Sequence, residues 1–229
     1  MLAIENGRDV FPMISASYRS ESATMEYNLC RILAHQCMPT LWMGKPASLL
    51  LIDKGLFPDL QVFYSLLMKH LKLYACSYIA FQETDTRLYL FLYREELLYP
   101  AITIGLRQQF LEKCGYSIAK EQMSSVLSLL GRRYRNYWIT GEFPHEIGLF
   151  LGYPLTDVEG FIRNHGRNYL LCGMWKVYSR VQVAETAFLF FHRLRDRAIE
   201  LAEAKSELLL LCKEEIEQYQ QLLWELLAY

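Results

Sequence analysis

Two runs rich in β-branched and aromatic residues, 76–81 and 87–93, flank a polar connector at 82–86. Tyr78, Ile79 and Phe81, then Leu88, Tyr89, Leu90 and Phe91, favour extended backbone, and a short polar link between two such runs predicts an antiparallel β-hairpin. A hairpin is not stable alone and must bury its apolar faces against other elements. Most of the remaining chain carries helical periodicity, so the expectation is an α+β fold: a helix-rich single domain with a small sheet that includes the hairpin, plus a long C-terminal helix.

Further strands are expected at 47–52, where periodicity alone leaves a buried helical turn open, and at 170–178, with Gly173 at a bulge or a close backbone approach. A first helix is expected after a cap at Ser22 or Thr24, ending at Met38, Pro39 and Thr40. A second opens at Phe57, Pro58 and Asp59 and runs through Leu71. Helices follow at 94–113, interrupted near Pro100, and at 118–136, capped by Ser117. A short helix after Pro144, a turn at 152–154 and a helix over 156–164 stopped by Gly166 come next.

Residues 1–25 read as a loosely ordered leader, 26–204 as the domain and 205–229 as an amphipathic helical extension. The run of leucines from Leu208 to Leu211, continued by Ile216, Leu222 and Leu226, covers more than one stripe of that helix. It packs on its own domain or joins a second copy in a homo-oligomer.

The chain has 229 residues, 52% of them hydrophobic and 21% charged, which is the balance of an ordinary folded protein. A formal net charge of −1 leaves no global field to draw it to nucleic acid or to an anionic membrane. No basic segment followed by an apolar core opens the sequence, and no uncharged apolar run approaches the roughly 20 residues that span a bilayer, so a cytoplasmic protein is expected. Six cysteines without a CxxC pair read as reduced thiols.

The most specific stretch lies between Gly141 and Tyr178. Phe143, Pro144, His145, Glu146, Ile147 and Gly148 lead into Leu151, Gly152, Tyr153 and Pro154. Asp157, Val158, Gly160, Phe161, Ile162, Asn164, Gly166, Asn168 and Tyr169 follow, then Gly173, Trp175, Lys176, Val177 and Tyr178. Upstream, Cys37, Met38, Pro39 and Thr40 precede Lys45, Pro46, Ala47 and Ser48. These motifs resemble an uncharacterised bacterial family, the domain of unknown function numbered 3793, over about residues 26–200, although Met38 stands where that family has alanine. The resemblance implies no reaction and names no cofactor. Its members occur in anaerobic bacteria, sometimes beside genes for flavodoxin or iron handling, which implies an accessory role in redox or iron metabolism with a flavodoxin-like or other redox protein as partner.

Several chemistries compete for these residues. His145 and Glu146 suggest a zinc peptidase, but the second histidine would have to stand where Leu149 does. His145 with Glu142 or Glu146 would instead serve as an acid or base, or simply sit at a helix entry. Cys37, between His35 and Lys45, is a candidate reactive thiol and otherwise a buried hydrophobe; a structural metal would need His35, Cys37, His145 and Cys172 gathered together. The rhythm of 146–162 is that of a helix-turn-helix, yet its second helix opens with Asp157 and Glu159, which phosphates repel, leaving Arg132, Arg133, Arg135, Arg163 and Arg167 as the local basic groups. Finally, Tyr153, Trp175 and Tyr178, with Asn164 and with Lys45 and Lys176 as anion partners, would line a ligand site. The leading expectation is a ligand-binding or accessory protein whose site is shared by the two motif regions, 37–48 and 142–178; an enzyme using Cys37, His145 or Glu146, and a nucleic-acid-binding regulator, are the alternatives.

Overall fold

The computed structural model describes residues 24–42 and 44–204. The expected hairpin forms β2 (Ser77–Glu83) and β3 (Arg87–Tyr93), and the 47–52 run forms β1 (Ala47–Asp53). The three pair antiparallel in the order β1-β3-β2, so the hairpin's second strand is central. Alternation along β3 then sorts the molecule into three layers. Leu88, Leu90 and Leu92 join one core with α1 (Met25–Gln36), α2 (Met38–Leu41), α3 (Leu60–Leu73) and α9 (Val181–Glu203). Tyr89 and Phe91 face a second core built by α4 (Glu95–Thr103), α5 (Arg107–Lys113), α6 (Met123–Thr140), α7 (Ile147–Phe150) and α8 (Leu155–Arg163).

Both free edges of this sheet are modified. The side-chain amide of Gln36 donates to Leu51 O at 3.1 Å and accepts from Leu51 N at 2.9 Å on the outer edge of β1. On β2 the register shifts between Ala80 and Gln82, and the inserted Phe81 is fully buried, stacked on Phe91 at 4.9 Å.

Several boundaries differ from expectation for identifiable reasons. Thr24 is the cap of α1, accepting from Tyr27 N at 3.2 Å. The helix stops at Gln36 as expected, but Pro39 then lies in the first turn of α2, where its missing N–H costs nothing. The 94–113 helix does break, though not at Pro100, which α4 accommodates; the break follows at Gly105, whose φ of +60° ends the turn. Ser117 does not cap α6: it donates to Gln122 Oε1 at 3.5 Å, a 3₁₀ turn (Lys120–Gln122) intervenes, and α6 runs to Thr140.

The largest correction concerns 170–178. It does not join the main sheet; it folds back as a separate two-stranded sheet of β4 (Leu171–Cys172) and β5 (Lys176–Val177). Gly173 is indeed a close approach, and the approaching group is the protein's own: a Cβ there would stand 2.2 Å from the ring of Phe188 on α9. The expected C-terminal helix is present as α9, 23 residues long, while the leader to residue 23 and the 205–229 extension with its oligomer expectation lie outside the described residues. No helix among the described residues is long and apolar enough to cross a membrane.

Candidate functional site

The C-terminal end of α6, the connector 141–146, α7, α8 and the β4–β5 hairpin enclose a pocket of about 510 Å³. Its walls are largely aromatic. Tyr153 stacks on Trp175 with ring centres 5.0 Å apart, and Trp175 meets Phe188 edge-on at 4.5 Å. Opposite, the imidazole of His145 lies between Phe143 at 5.5 Å and Phe161 at 4.9 Å. Lys176 supplies the cation. Its Nζ donates to Gly166 O at 2.9 Å and stands over the rings of Tyr169 and Phe161, at 5.1 and 5.8 Å.

Asp157 holds the hairpin wall in place. Buried in the first turn of α8, its Oδ2 accepts from Trp175 Nε1 at 2.8 Å. Its Oδ1 accepts from Tyr178 N at 2.8 Å, Ser179 N at 3.1 Å and Ser179 Oγ at 3.3 Å. Burial raises this carboxyl above its ordinary pKa, against the pull of the four hydrogen bonds. The turn that closes the pocket floor is fixed from beneath: Arg107, almost fully buried, donates to Tyr153 O at 2.8 Å and to Ala101 O at 3.0 Å.

Of the residues singled out in the sequence, His145, Tyr153, Trp175 and Lys176 line this pocket. The two motif regions meet, but through Tyr153: Lys45 Nζ lies 5.4 Å from the centre of that ring, and Trp175 stacks against it from the pocket. Lys45 itself is buried, and burial draws its amine down to about 8. Cys37 beside it is fully buried, which raises its thiol far above the ordinary value. Glu146 turns away from the pocket into an ion pair with Arg133 at 2.7 Å and accepts from Tyr116 Oη at 3.0 Å. Asn164 closes α8 by donating to Gly160 O at 2.8 Å, and Tyr178 takes part through its backbone bond to Asp157.

A thiol so enclosed and protonated is inert. In native protein, iodoacetamide is expected to leave Cys37 unmodified at pH 8 and to alkylate it once denaturant is added; peptide mapping of Cys37 after a native pulse checks this, and full modification would contradict the burial.

The proposed metal set does not assemble, since among the described residues no group of three or more His, Cys, Asp and Glu side chains is placed to hold an ion. The α7–α8 pair has the outline of a helix-turn-helix, but Asp157 faces inward. Arg133 is engaged with Glu146 and Cys114 O, and Arg135 with Phe81 O at 3.1 Å. The organising roles of Asp157 and Arg107 are not legible in the sequence. The partners of Asp157 lie 18 to 22 residues away along the chain and Tyr153 lies 46 from Arg107, and no local pattern reports such contacts.

The model of a family described as protein of unknown function (DUF3793) matches residues 33–212 of the chain. No curated protein and no solved structure matches it.

Proposed function

The chain belongs to the DUF3793 family, and from the chemistry of its pocket we propose that it is a cytoplasmic binding protein for a small ligand with a flat apolar body and an anionic end. The observation that carries this reading is one cation, Lys176, at the side of a pocket of about 510 Å³ walled by Tyr153, Phe161 and Trp175. That volume is in the range of small-molecule sites, and aromatic walls with a few placed polar groups are their usual lining. Lys176 gives one of its three N–H groups to Gly166 O and keeps the others for a carboxylate, sulfonate or phosphate oxygen. The family resemblance supports an accessory role in redox or iron metabolism, with a flavodoxin-like protein as partner. His145 supports a second reading, an enzyme with a pocket-lining acid or base: burial lowers its pKa, so the imidazole is neutral at pH 7 and able to accept a proton.

A fluorescent probe of matching chemistry, 8-anilinonaphthalene-1-sulfonate, tests the binding reading. It is expected to saturate at one molecule per chain and to quench Trp175. Lys176→Ala, shown by circular dichroism to be folded, is expected to weaken it about tenfold, the lower end for loss of a charge-assisted hydrogen bond. Non-saturating binding, or equal affinity in Lys176→Ala and Trp175→Leu, would remove the pocket from consideration.

A further inference from the structure

We propose that segment 162–170, from the last turn of α8 to the start of β4, is a docking surface for an anionic lipid membrane. Ile162, Tyr169 and Leu170 enter the interface, and Arg163 and Arg167 meet lipid phosphates. The proposal does not depend on what the pocket binds. Within this segment only Asn164 and Gly166 are withdrawn from the surface. Three large apolar side chains are left in water: Ile162 is 39% exposed, Tyr169 44% and Leu170 64%. Single exposed apolar residues are ordinary, but here they alternate with unpaired cations. Neither Arg163 nor Arg167 has a side-chain hydrogen bond or ion pair among the described residues, whereas Arg133, Arg195 and Arg197 each face a carboxylate. No acidic residue occurs from Gly160 to Ala184, and Glu159, one turn before Arg163, makes no ion pair with it. Asp157, which shares the pocket mouth, is buried and spent on Trp175, Tyr178 and Ser179.

The fold gathers these groups and fixes them. Lys176 Nζ stands over the ring of Tyr169 at 5.1 Å, Ile162 and His165 meet Lys176 at the pocket mouth, and Leu170 N donates to Val177 O at 2.8 Å. His165, Gly166 and Asn168 all take left-handed backbone, with φ of +49°, +71° and +56°, a geometry that two non-glycine residues hold only when their surroundings impose it. The imposing bonds are Asn164 Nδ2 to Gly160 O at 2.8 Å, Gly166 N to Phe161 O and Arg167 N to Asn164 O, both at 2.9 Å, and Lys176 Nζ to Gly166 O at 2.9 Å. A segment already ordered loses little freedom on docking. The partner follows from the mixture of groups. With a net charge of −1 the chain has no long-range pull toward an anionic surface, so a few local cations must act together with apolar insertion, the two signals on which reversible membrane attachment rests. Guanidinium groups pair bidentately with phosphate, and aliphatic side chains such as Ile162 and Leu170 need no shaped receptor at the acyl boundary. Single-stranded nucleic acid would instead use open aromatic faces, and Lys176 already stands over Tyr169.

The test mixes the full chain with vesicles of phosphatidylcholine, alone or with one-third phosphatidylglycerol, and measures co-flotation. Binding is expected to the anionic vesicles only, and to fall in about 1 M salt, where the Debye length is about 3 Å. Arg163→Gln and Arg167→Gln, each shown by circular dichroism to be folded, are expected to weaken it about fivefold apiece and to flatten its salt dependence. Leu170→Ser is expected to weaken it by a similar factor with the salt dependence kept, because it removes apolar insertion rather than charge. No binding to either vesicle, or equal binding to both, overturns the proposal. Wild-type binding in all three variants overturns it as well, since another surface would then make the contact. Binding of a single-stranded oligonucleotide or of polyglutamate in place of the vesicles would assign the segment to nucleic acid or to an acidic protein and overturn the lipid assignment. None of the three substituted residues lines the pocket, so failure here leaves the binding reading standing, and failure of the sulfonate probe leaves this proposal standing.

Discussion

Asp157→Ala is expected to cost about 3–5 kcal/mol of folding stability, the size associated with stranding the partners of a buried charge. The carboxylate accepts four hydrogen bonds, from Trp175, from the backbone of Tyr178 and Ser179 and from the Ser179 hydroxyl. Alanine leaves those donors facing apolar surroundings with no replacement acceptor. Asp157→Asn separates charge from geometry. It keeps one acceptor oxygen for the backbone amides and relieves the burial of a charge, but opposes its own NH₂ to Trp175 Nε1–H, so a smaller loss of about 1–2 kcal/mol is expected. Urea denaturation of the three proteins gives the comparison. A loss under about 1 kcal/mol in Asp157→Ala would mean the hairpin wall is held by other contacts. Because Trp175 is released from its partner, probe binding is expected to fall in Asp157→Ala even where the protein remains folded.

Lys45→Met is expected to change the pH dependence of stability by about 3 kcal/mol, since the amine is drawn from 10.5 to about 8 and each unit corresponds to 1.36 kcal/mol. Burial is the main cause, with Cys37 acting weakly in the opposite direction. The sign follows from proton counting. Between pH 8 and 10.5 the unfolded chain binds a proton at Lys45 that the folded chain has released, so this contribution rises with pH. Below pH 8 the folded protein carries a buried ammonium whose compensation is the face of Tyr153, worth about 1–2 kcal/mol. Lys45→Met should therefore be more stable than wild type at pH 7, and that advantage should vanish by pH 10.5. Cys37 and Tyr153, whose acidities burial weakens, pull the absolute curves the other way but are present in both proteins. The difference between the two denaturation curves at pH 7 and pH 9.5 is the quantity to measure. A constant difference would show that Lys45 does not titrate in this window.

The elements that sequence revealed are those whose cause is local. The β2–β3 hairpin follows from side-chain type on either side of a polar link, and β1 from a short apolar run. Capping at Thr24 and the left-handed turn at Gly166, with φ of +71°, follow from single residues. Segment 170–178 departs from the sheet that its composition suggests because its path is set by Asp157 and by the ring of Phe188, both remote in sequence. The same distinction runs through the site. His145, Tyr153, Trp175 and Lys176 were legible because turns and polar groups concentrate around them in an apolar chain. That Lys45 would sit behind Tyr153 rather than in the pocket, and that Glu146 would turn to Arg133, depended on three-dimensional neighbours.

The treatment of the two outer strands bears on how copies of this chain can meet. A backbone-to-backbone zipper between molecules requires an uninterrupted row of outward N–H and C=O groups. Gln36 occupies that row at Leu51, imitating with its amide the strand that would otherwise dock there. On the other side, the extra residue at Phe81 breaks the spacing a visiting strand would have to match. A small sheet with two outer strands would ordinarily be vulnerable to growth into fibres; here neither of those strands offers a continuous template to an incoming one.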